Sequence, residues 1–439
     1  MDERRFVNVS IKHEQQGSYF TVPFSIPGDI AVETLTIQYQ YQRYDRIHTQ
    51  AGSGSFTAQP EVNIIDLGLI GPDGRQVGAS GSDKNEITIS ETFATPGYRP
   101  GPVSPGEWQL LLGAYKVQPE GVEVEFRLDF HGKSPRWLKG DLHTHTVASD
   151  GVLTAVELGQ HAVRQGLDFV AITDHNQMVS ANELPRIPGL TFIPGVEWTH
   201  YQGHANFLGV DQPYDGPFAT NTPQEARSRF ESAYARGALI TINHPFEDCC
   251  EFKFDFNSLP FDCLEIWNGP MRESNLKAVG LWHSLLMAGK KVPVCGGSDY
   301  HRDTPFIFLG GPTTCVYAQS AGASDILAAL RLGHAYIVFA PDGPTLEMCA
   351  GSDKGMGDSV PWLEINRLDI KLSGLHKGDM VRVVTPRGSD TLSQAVERGE
   401  FEAHYSMLAP GFARVEVLRA FLPGLPLLPA LISNPLYFD

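Results

Sequence analysis

Two histidines separated by one residue end an apolar run near the first third of the chain. His143 and His145 lie in LKGDLHTHT (138–146), and Asp150-Gly151 follows a few residues later. In a strand, residues i and i+2 point to the same face, so both imidazoles are predicted to face one point. Imidazole is also the commonest metal-ligating side chain. The pair alone predicts little, but residues of the same kind recur further along the chain.

Side chains that ligate metals stand at or near the ends of the later apolar runs. The full set is His143, His145, Asp150, His175, Glu197, His204, His244, Asp299 and His301. In α/β barrels the loops at the carboxyl ends of the strands converge and build the active site. Histidines and carboxylates that meet there predict a multinuclear metal site, for which Zn, Mn and Fe are suitable ions.

Each of these residues has an ordinary structural explanation when it is taken alone. Asp150 before Gly151 suits a turn, and His204 or His244 suits a hydrogen-bonded histidine at a strand end. Such separate explanations do not account for the whole set, because they would require independent coincidences at the ends of successive strands. We therefore interpret the set as a metal centre.

The elements that must position these residues alternate between strands and helices. Apolar strands are predicted over 168–173, 192–198, 204–210, 238–243, 263–267, 292–297, 315–318 and 335–339. Thr154 with Glu157 forms a capping box for a helix that Gly166 ends, and Thr222 with Pro223 and Glu225 begins another. Further helices are predicted over 273–291 and 324–333. Repeated β/α units of this length predict a barrel or a doubly wound sheet.

The segments on either side of this region read as β-structure. Strands are predicted over 62–70, 107–117 and 122–130, and again over 368–375, 379–388 and 413–422. Two loops rich in Gly, Ser and Pro lie around 50–58 and 94–106. We predict three domains: a small β-sandwich over 1–135, the α/β region over 136–342, and a second small β-sandwich over 343–439.

Composition and charge exclude several functions for the 439 residues. The formal charge of −17 and the lack of a Lys/Arg cluster disfavour nucleic acid as a partner, whereas a small anion at a metal centre remains compatible. No apolar run is long enough to span a bilayer, and the N-terminus has no apolar signal core, so we expect a cytoplasmic protein without a membrane partner. The six cysteines lack CxxC spacing, which suits reduced thiols. Adjacent Cys249 and Cys250 form a weak candidate for a metal pair, since neighbouring cysteines rarely chelate one ion.

The ordered motifs of the central region resemble a known family. HTH, SDG, TDH, Glu, His and DxH, in this order over about 138–340, are similar to the PHP (polymerase and histidinol phosphatase) metallohydrolases. VEWTHYQGHANFLG with ITINHP is most similar to the CehA/McbA branch. The resemblance implies a distorted (β/α)7 PHP-type barrel, here with flanking β-sandwiches, that holds two to three divalent ions.

The resemblance also implies how the ligands are shared among three ions. One ion would be held by His143, His145, Glu197 and Asp299, and Glu197 would bridge to a second ion at His204 and His244. The third ion would be held by Asp150, His175 and His301.

The residue types support hydrolysis by themselves. A carboxylate that bridges two metals creates a shared, acidified water and hence a hydroxide at neutral pH. Asp299 is then the natural proton acceptor, so Glu197 and Asp299 are the predicted catalytic pair. Three divalent ions carry about +6 against about −3 from the three carboxylates, which would attract a phosphate dianion.

Three further residues are predicted to bind substrate. Arg302 and Arg272 are candidate phosphate clamps because a guanidinium matches phosphate oxygens bidentately, although both also suit surface salt bridges. His200, four residues before His204, is interpreted as lying on the substrate side of the ligands.

The sequence therefore predicts a cytoplasmic metal-dependent hydrolase. Our first hypothesis is a phosphoesterase that cleaves a small phosphomonoester or cyclic phosphate with a metal-bridging hydroxide. The alternatives are a carbamate or carboxyl-ester hydrolase on the same site and a non-catalytic protein that binds carbohydrate or a partner. A proofreading role beside a DNA polymerase, known for some PHP domains, is disfavoured by the acidic charge. Exposed sandwich edges leave room for a homodimer.

Overall fold

The computed structural model describes residues 2–29, 31–45, 60–393 and 399–439. The chain divides into two compact units, Met1–Ser134 and Pro135–Asp439. The loop predicted around 50–58 lies outside the described residues. Within the described ranges, no helix is both long and apolar enough to cross a membrane.

The first unit consists of antiparallel strands in two four-stranded sheets, ordered β1-β8-β3-β6 and β2-β7-β4-β5. The strands are β1 (Glu3–Ile11), β2 (Tyr19–Ile26), β3 (Val32–Tyr41), β4 (Ile64–Ile70), β5 (Gln76–Ser80), β6 (Glu86–Ser90), β7 (Gly106–Lys116) and β8 (Val122–Gly132). Alternate residues of β8 are buried from Val122 to Phe130, as a period of two requires. The buried side chains of both sheets form one hydrophobic core.

The second unit is a mixed α/β structure with few helices and many strands. Its helices are α1 (Ala155–Arg164), α2 (Pro223–Ala235), α3 (Glu273–Met287) and α4 (Ala323–Arg331). The strands up to α4 are β9 (Arg136–Asp141), β10 (Phe169–Ala171), β11 (Thr191–Ile193), β12 (Gly195–His200), β13 (Gly203–Leu208), β14 (Leu239–Ile242), β15 (Cys263–Asn268), β16 (Val294–Gly297) and β17 (Thr313–Ala318). After α4 come β18 (Ala335–Val338), β19 (Thr345–Cys349), β20 (Ser359–Val360), β21 (Arg367–Leu375), β22 (Met380–Thr385), β23 (Gly388–Ser393), β24 (Gly399–Ser406), β25 (Gly411–Arg419), β26 (Leu428–Ser433) and β27 (Leu436–Phe438).

Local capping chemistry places the first two helices where the sequence predicts them. The Thr154 side chain accepts a hydrogen bond from the backbone N–H of Glu157, and the Glu157 carboxylate accepts one from the backbone N–H of Thr154. The same capping box forms between Thr222 and Glu225. Gly166 follows α1 with φ of 76°, a conformation that glycine adopts without strain. Both predicted capping boxes are confirmed.

Two sheets position the strand ends that carry the candidate ligands. β9, β10 and β11 pair in parallel, as do β14, β15 and β16, whereas β12 and β13 join the second sheet antiparallel. Isolated parallel bridges, Thr144 with Tyr300 and His175 with Glu197, connect the two sheets beyond β9 and β10. The strands therefore converge at this end of the unit.

The prediction of one strand over 192–198 was wrong, because the chain leaves the first sheet at Pro194 and enters the second at Gly195. Proline has no N–H to donate to a ladder, which explains the break. The segments predicted as separate domains over 136–342 and 343–439 also share a sheet, since β18 pairs with β26. This pairing covers an apolar strand that would otherwise form an edge.

Candidate metal centre

The structure brings all nine predicted ligands together at the converging strand ends. Glu197 lies on β12 and His204 on β13, and the other residues follow β9, β10, β14 and β16. Their donor atoms form overlapping groups within 4.8 Å, each able to hold a metal ion. Four of these groups are His145–Asp150–His175–His301, His143–His145–Glu197, His143–His244–Asp299 and His175–Glu197–His204.

Glu197 occupies the middle of this cluster and its side chain is completely buried. Its Oε1 lies 3.2 Å from Nε2 of His143, 3.1 Å from Nδ1 of His204 and 3.3 Å from Nε2 of His244. Its Oε2 lies 2.6 Å from Nδ1 of His175. A single carboxylate thus contacts imidazoles from several strand ends.

Asp299 and Asp150 complete the cluster towards the surface. Oδ1 of Asp299 lies 3.0 Å from Nε2 of His145, and Oδ1 of Asp150 lies 3.1 Å from Nε2 of His301. The exposed fraction rises from 0% for Glu197 to 26% for Asp299 and 58% for Asp150. The cluster therefore runs from the interior to the surface, and its outer carboxylates are the ones that solvent reaches.

Several buried nitrogen and oxygen atoms of the cluster lack hydrogen bonds, which indicates that these residues fit metal ions. Among the described residues, Nε2 of His143, both ring nitrogens of His145, Oε2 of Glu197 and Oδ1 of Asp299 are buried and, although they lie near other ring nitrogens and carboxylate oxygens, form no hydrogen bond of normal geometry. Buried polar atoms are normally satisfied, so several in one place indicate a ligand. Imidazole nitrogens beside carboxylate oxygens are the donors that divalent transition metals prefer.

The electrostatics of the cluster lead to the same conclusion. Burial opposes charge, but the carboxylates of Asp299, Glu265 and Glu197 raise the pKa of His143 well above its usual value. Burial likewise opposes ionisation of Glu197 and Asp299, yet the nearby imidazoles, His143 foremost, hold the pKa of both carboxyls well below the usual range. The pKa values of His175 and His244 are raised as well, with burial opposing the shift and the Glu197 carboxylate favouring it, so metal binding at these histidines competes with protons.

Glu265 is a supporting residue that the sequence prediction missed. Its Oε1 lies 3.0 Å from Nδ1 of His143, and its Oε2 accepts hydrogen bonds from the backbone N of His244 at 2.9 Å and from Nδ2 of Asn268 at 3.2 Å. A carboxylate on the second nitrogen of a histidine fixes which nitrogen faces the metal. The available signal was a charged residue inside the apolar run CLEIW, since an unpaired carboxylate is rarely buried.

Asp141 and Asn243 were also missed, and both organise the loops that carry the ligands. Asp141 accepts from the backbone N of His143 at 3.2 Å, of Ser298 at 3.0 Å and of Gly310 at 2.8 Å, while burial raises its pKa to about 6. Asn243 donates from Nδ2 to Oε1 of Glu197 at 2.8 Å. Asp141 lies two residues before His143, but nothing in the local sequence indicates which distant loops it joins.

Backbone strain is concentrated at the same strand ends. His244, Asp299 and Asn176 are the non-glycine residues with positive φ in the described part of the chain, at 26°, 53° and 53°. Two are candidate ligands and the third follows His175. Such conformations persist where the surrounding structure enforces them, which is typical of functional sites.

The two arginines predicted to bind phosphate lie in different surroundings. Arg272 donates from Nε to Oε2 of Glu247 at 2.9 Å and from Nη2 to Oδ1 of Asn268 at 3.0 Å. Nδ2 of Asn268 in turn lies 3.4 Å from Oδ2 of Asp299. Arg302 is exposed beside His301. The structure therefore links Arg272, through one asparagine, to the cluster.

The structure does not bring His200 to the cluster. Alternation along β12 puts His200 on the face opposite Glu197, stacked on Trp198 with ring centroids 5.1 Å apart. Its Nε2 lies 3.1 Å from the carbonyl of Thr220, and its Nδ1 accepts from the backbone N of Gln202 at 3.1 Å. The prediction relied on the proximity of His200 to His204 in the sequence. That proximity does not determine which way a side chain points, because each step of one residue along a strand moves the side chain to the opposite face.

The cluster is therefore a buried imidazole–carboxylate centre, at converging strand ends of an α/β unit, whose residues are able to bind metal ions. Residues 141–214 match the family model of the PHP domain, so this segment is similar to that domain. The matched segment contains His143, His145, Asp150, His175, Glu197 and His204. The narrower assignment to the CehA/McbA branch stays a prediction.

Curated relatives match the chain over short segments. The 5′-3′ exoribonuclease Rnm of Salmonella typhimurium is 39% identical over 80 residues, which are 16% of this chain and 27% of that protein. The 3′,5′-nucleoside bisphosphate phosphatase of Chromobacterium violaceum is 31% identical over 107 residues, which are 23% of this chain and 37% of that protein. The chain thus spans about a third of the length of these relatives.

One solved structure that matches part of the chain is a two-domain protein from Bacteroides vulgatus that contains a predicted PHP-like metal-dependent phosphoesterase. It is 18% identical with a TM-score of 0.40, and the alignment covers 68% of this chain and 95% of that one.

Proposed function

We propose that the protein is a metal-dependent phosphoesterase that hydrolyses a small phosphomonoester or cyclic phosphate. The observation that carries this proposal is the group of buried imidazole and carboxylate atoms around Glu197 that form no hydrogen bond of normal geometry. The names of two relatives, an exoribonuclease and a nucleoside bisphosphate phosphatase, denote cleavage of phosphate esters and support the same bond type.

The proposed centre holds two to three divalent ions of Zn, Mn or Fe, in a strand arrangement that we propose is a distorted (β/α)7 barrel. The first position would use His143, His145, Glu197 and Asp299. The second would share Glu197 and add His204 and His244, and the third would use Asp150, His175 and His301. The four-residue group of His145, Asp150, His175 and His301 supports the third position.

When bound, divalent ions supply Lewis acidity and a nucleophile derived from water at neutral pH. The chain's own residues contribute the rest. Asp299 is buried enough to be oriented, by Asn268 at Oδ2, and exposed enough to pass a proton from the pocket to solvent. Arg272, which Asn268 connects to Asp299, is the proposed phosphate-binding residue because its guanidinium matches phosphate oxygens. Glu265 keeps the Nε2 atom of His143 facing the centre.

The proposed substrate is a small anion rather than a polynucleotide. The formal charge of −17 repels a polyanion, whereas a single phosphate is attracted locally by the ions. We further propose a cytoplasmic protein without a membrane partner. Strand edges of the kind that pair between copies make a homodimer compatible with this function.

Carbamate or carboxyl-ester hydrolysis on the same site is the second candidate. The observation that favours it is a pair of exposed valines close to Asp150 in the sequence, Val147 at 55% and Val152 at 50%. Exposed apolar side chains suit an uncharged or aryl substrate, and the same ions would activate attack on a carbonyl.

The test combines elemental analysis with hydrolysis of p-nitrophenyl phosphate, bis-p-nitrophenyl phosphate and p-nitrophenyl acetate. We expect two to three metals per chain and turnover of a phosphate ester that is lost after chelation and returns with Zn, Mn or Fe. A His404→Gln variant, altered in the C-terminal strands, serves as the control for unrelated histidines. Metal with turnover of the acetate alone would favour the second candidate. Absence of both metal and turnover would reject an enzymatic role and favour a protein that binds carbohydrate or a partner.

A further inference from the structure

The loop after β14 folds back over one of the candidate ligands. Glu247 donates its backbone N–H to the carbonyl of His244 at 3.0 Å, and Cys250 donates to the carbonyl of Glu247 at 3.0 Å. These two turns bring Sγ of Cys250 to 3.5 Å from Nδ1 of His244. The loop is anchored because the Glu247 carboxylate accepts from Arg272 and from Ser274, both at 2.9 Å.

Cys250 belongs to a group of three possible metal donors. One donor atom each from His204, His244 and Cys250 lies within 4.8 Å of the others. In a tetrahedral zinc site, bonds of about 2.3 Å to sulfur and about 2.0–2.1 Å to nitrogen place the two donor atoms about 3.6 Å apart. The observed separation of 3.5 Å between Sγ of Cys250 and Nδ1 of His244 matches that value.

The remaining ring nitrogens of both histidines face one carboxylate oxygen. Nε2 of His244 and Nδ1 of His204 lie 3.3 Å and 3.1 Å from Oε1 of Glu197. A metal-bound histidine usually directs its second nitrogen to a carboxylate, which orients the ring. In this arrangement Glu197 orients both rings instead of bridging to this ion, and Nδ1 of His244 is left facing Cys250.

We propose that Sγ of Cys250 ligates a metal ion together with His204 and His244, so that this position takes a thiophilic ion such as Zn²⁺ or Co²⁺ in preference to Mn²⁺. The inference rests on the metal centre of the proposed function and deepens it. A thiolate ligand favours zinc over harder ions, whereas imidazole and carboxylate alone discriminate less. Cys249 is excluded as the ligand because it is exposed, and its Sγ contacts Cys250 at 3.3 Å.

The ordinary alternative is that the Cys250 thiol forms only a hydrogen bond with His244. The two possibilities differ in spectroscopy, because a cobalt–thiolate bond produces a charge-transfer absorption in the near ultraviolet and a hydrogen bond does not. The full-length protein loaded with Co²⁺ is therefore compared with its Cys250→Ser and Cys249→Ser variants. The adjacent cysteine supplies a matched control in the same loop.

We expect the absorption in the unmodified protein and in Cys249→Ser, and its loss in Cys250→Ser. Zinc affinity at this position should fall about 10- to 100-fold in Cys250→Ser, with a smaller change for Mn²⁺. A second measurement needs no variant: Zn²⁺ should slow alkylation of Cys250 relative to Cys249 in the unmodified protein, as located by mass spectrometry.

Four outcomes would each overturn the inference. Cobalt could fail to bind, or bind without producing the absorption, or the absorption could depend on Cys249 instead of Cys250. In the fourth, zinc would not slow the alkylation of Cys250. These outcomes are separable from failure of the proposed function. Phosphate turnover without the absorption would reject Cys250 as a ligand and leave the phosphoesterase intact. The absorption without phosphate turnover would keep the ligand and reject the phosphoesterase.

Discussion

Two carboxylates of the second unit are equally buried but differ in what surrounds them. Asp379, directly before β22, is 1% exposed and accepts from Nε and Nη2 of Arg419 at 2.9 and 2.7 Å, and from the backbone N of His376 at 2.8 Å. Glu197, on β12, is 0% exposed and faces imidazoles. Its Oε1 accepts from Nδ2 of Asn243 at 2.8 Å, whereas its Oε2, 2.6 Å from Nδ1 of His175, forms no hydrogen bond of normal geometry. One carboxylate is paired with a permanent positive charge, and the other lies among imidazoles that carry charge only when protonated.

The difference separates a structural charge from a functional one. A buried ion pair is tolerated when its geometry is complete, as the bidentate contact of Asp379 with Arg419 is. A buried carboxylate among imidazoles is neutralised without a ligand only if the imidazoles hold protons. Asp379 should therefore matter to folding, and Glu197 to cation binding and turnover. The following substitutions test that separation in order of decreasing expected effect.

Glu197→Gln should give the largest loss. The amide keeps the shape of the side chain but removes the negative charge at the middle of the centre, so phosphate-ester turnover should fall by about 1,000-fold or more. Metal content should fall with it, while the unfolding midpoint of the chelated protein changes little. Steady-state kinetics, elemental analysis and thermal unfolding measure the three quantities. Near-normal turnover would contradict the role assigned to Glu197.

Asp379→Ala should show the opposite pattern. Removing the carboxylate leaves the guanidinium of Arg419 buried without its partner, which should lower the free energy of unfolding by about 3–5 kcal/mol. Metal content of the folded protein should not change. Denaturant unfolding provides the measurement, and a double variant, Asp379→Leu with Arg419→Met, provides the control. The double variant should regain most of the stability, since an apolar pair replaces the ion pair.

The sequence was sufficient to predict which nine candidate ligands lie together but not the residues that support them. Their convergence was predictable because histidines and carboxylates at strand ends break an apolar pattern. Glu265 was not predicted because it lies inside an apolar run, whose pattern indicates a buried strand rather than a site residue. His200 was predicted at the wrong position because the prediction used its distance from His204 in the sequence and ignored the alternation of side chains between the two faces of a strand. Pairing of β18 with β26, almost a hundred residues later in the chain, has no local code.

Glu265→Gln tests whether a buried carboxylate can act through a ligand rather than as one. Glu265 contacts Nδ1 of His143, so its loss should free the ring to rotate and lower metal affinity by about 10- to 100-fold. Saturating metal should restore most of the turnover, which distinguishes this variant from Glu197→Gln. Metal titration followed by calorimetry measures the affinity. Unchanged affinity would show that backbone packing alone orients His143.

Arg272 resembles the Asp379 ion pair in one respect and the surroundings of Glu197 in another. Its substitution should give the smallest effect of the changes considered. Like Arg419 it pairs with a carboxylate, Glu247, but it is 37% exposed and connects through Asn268 to Asp299. Arg272→Lys keeps the charge and removes the planar fork, so KM for p-nitrophenyl phosphate should rise about tenfold with little change in kcat. KM for p-nitrophenyl acetate should not change, because an ester without a phosphate gains nothing from the fork. Arg302→Lys is the matched comparison, and a larger rise in KM there would transfer the phosphate contact to the exposed arginine. If KM rose equally for p-nitrophenyl acetate and p-nitrophenyl phosphate, Arg272 would have a structural role like that of Arg419. It would then hold its loop without contacting the substrate.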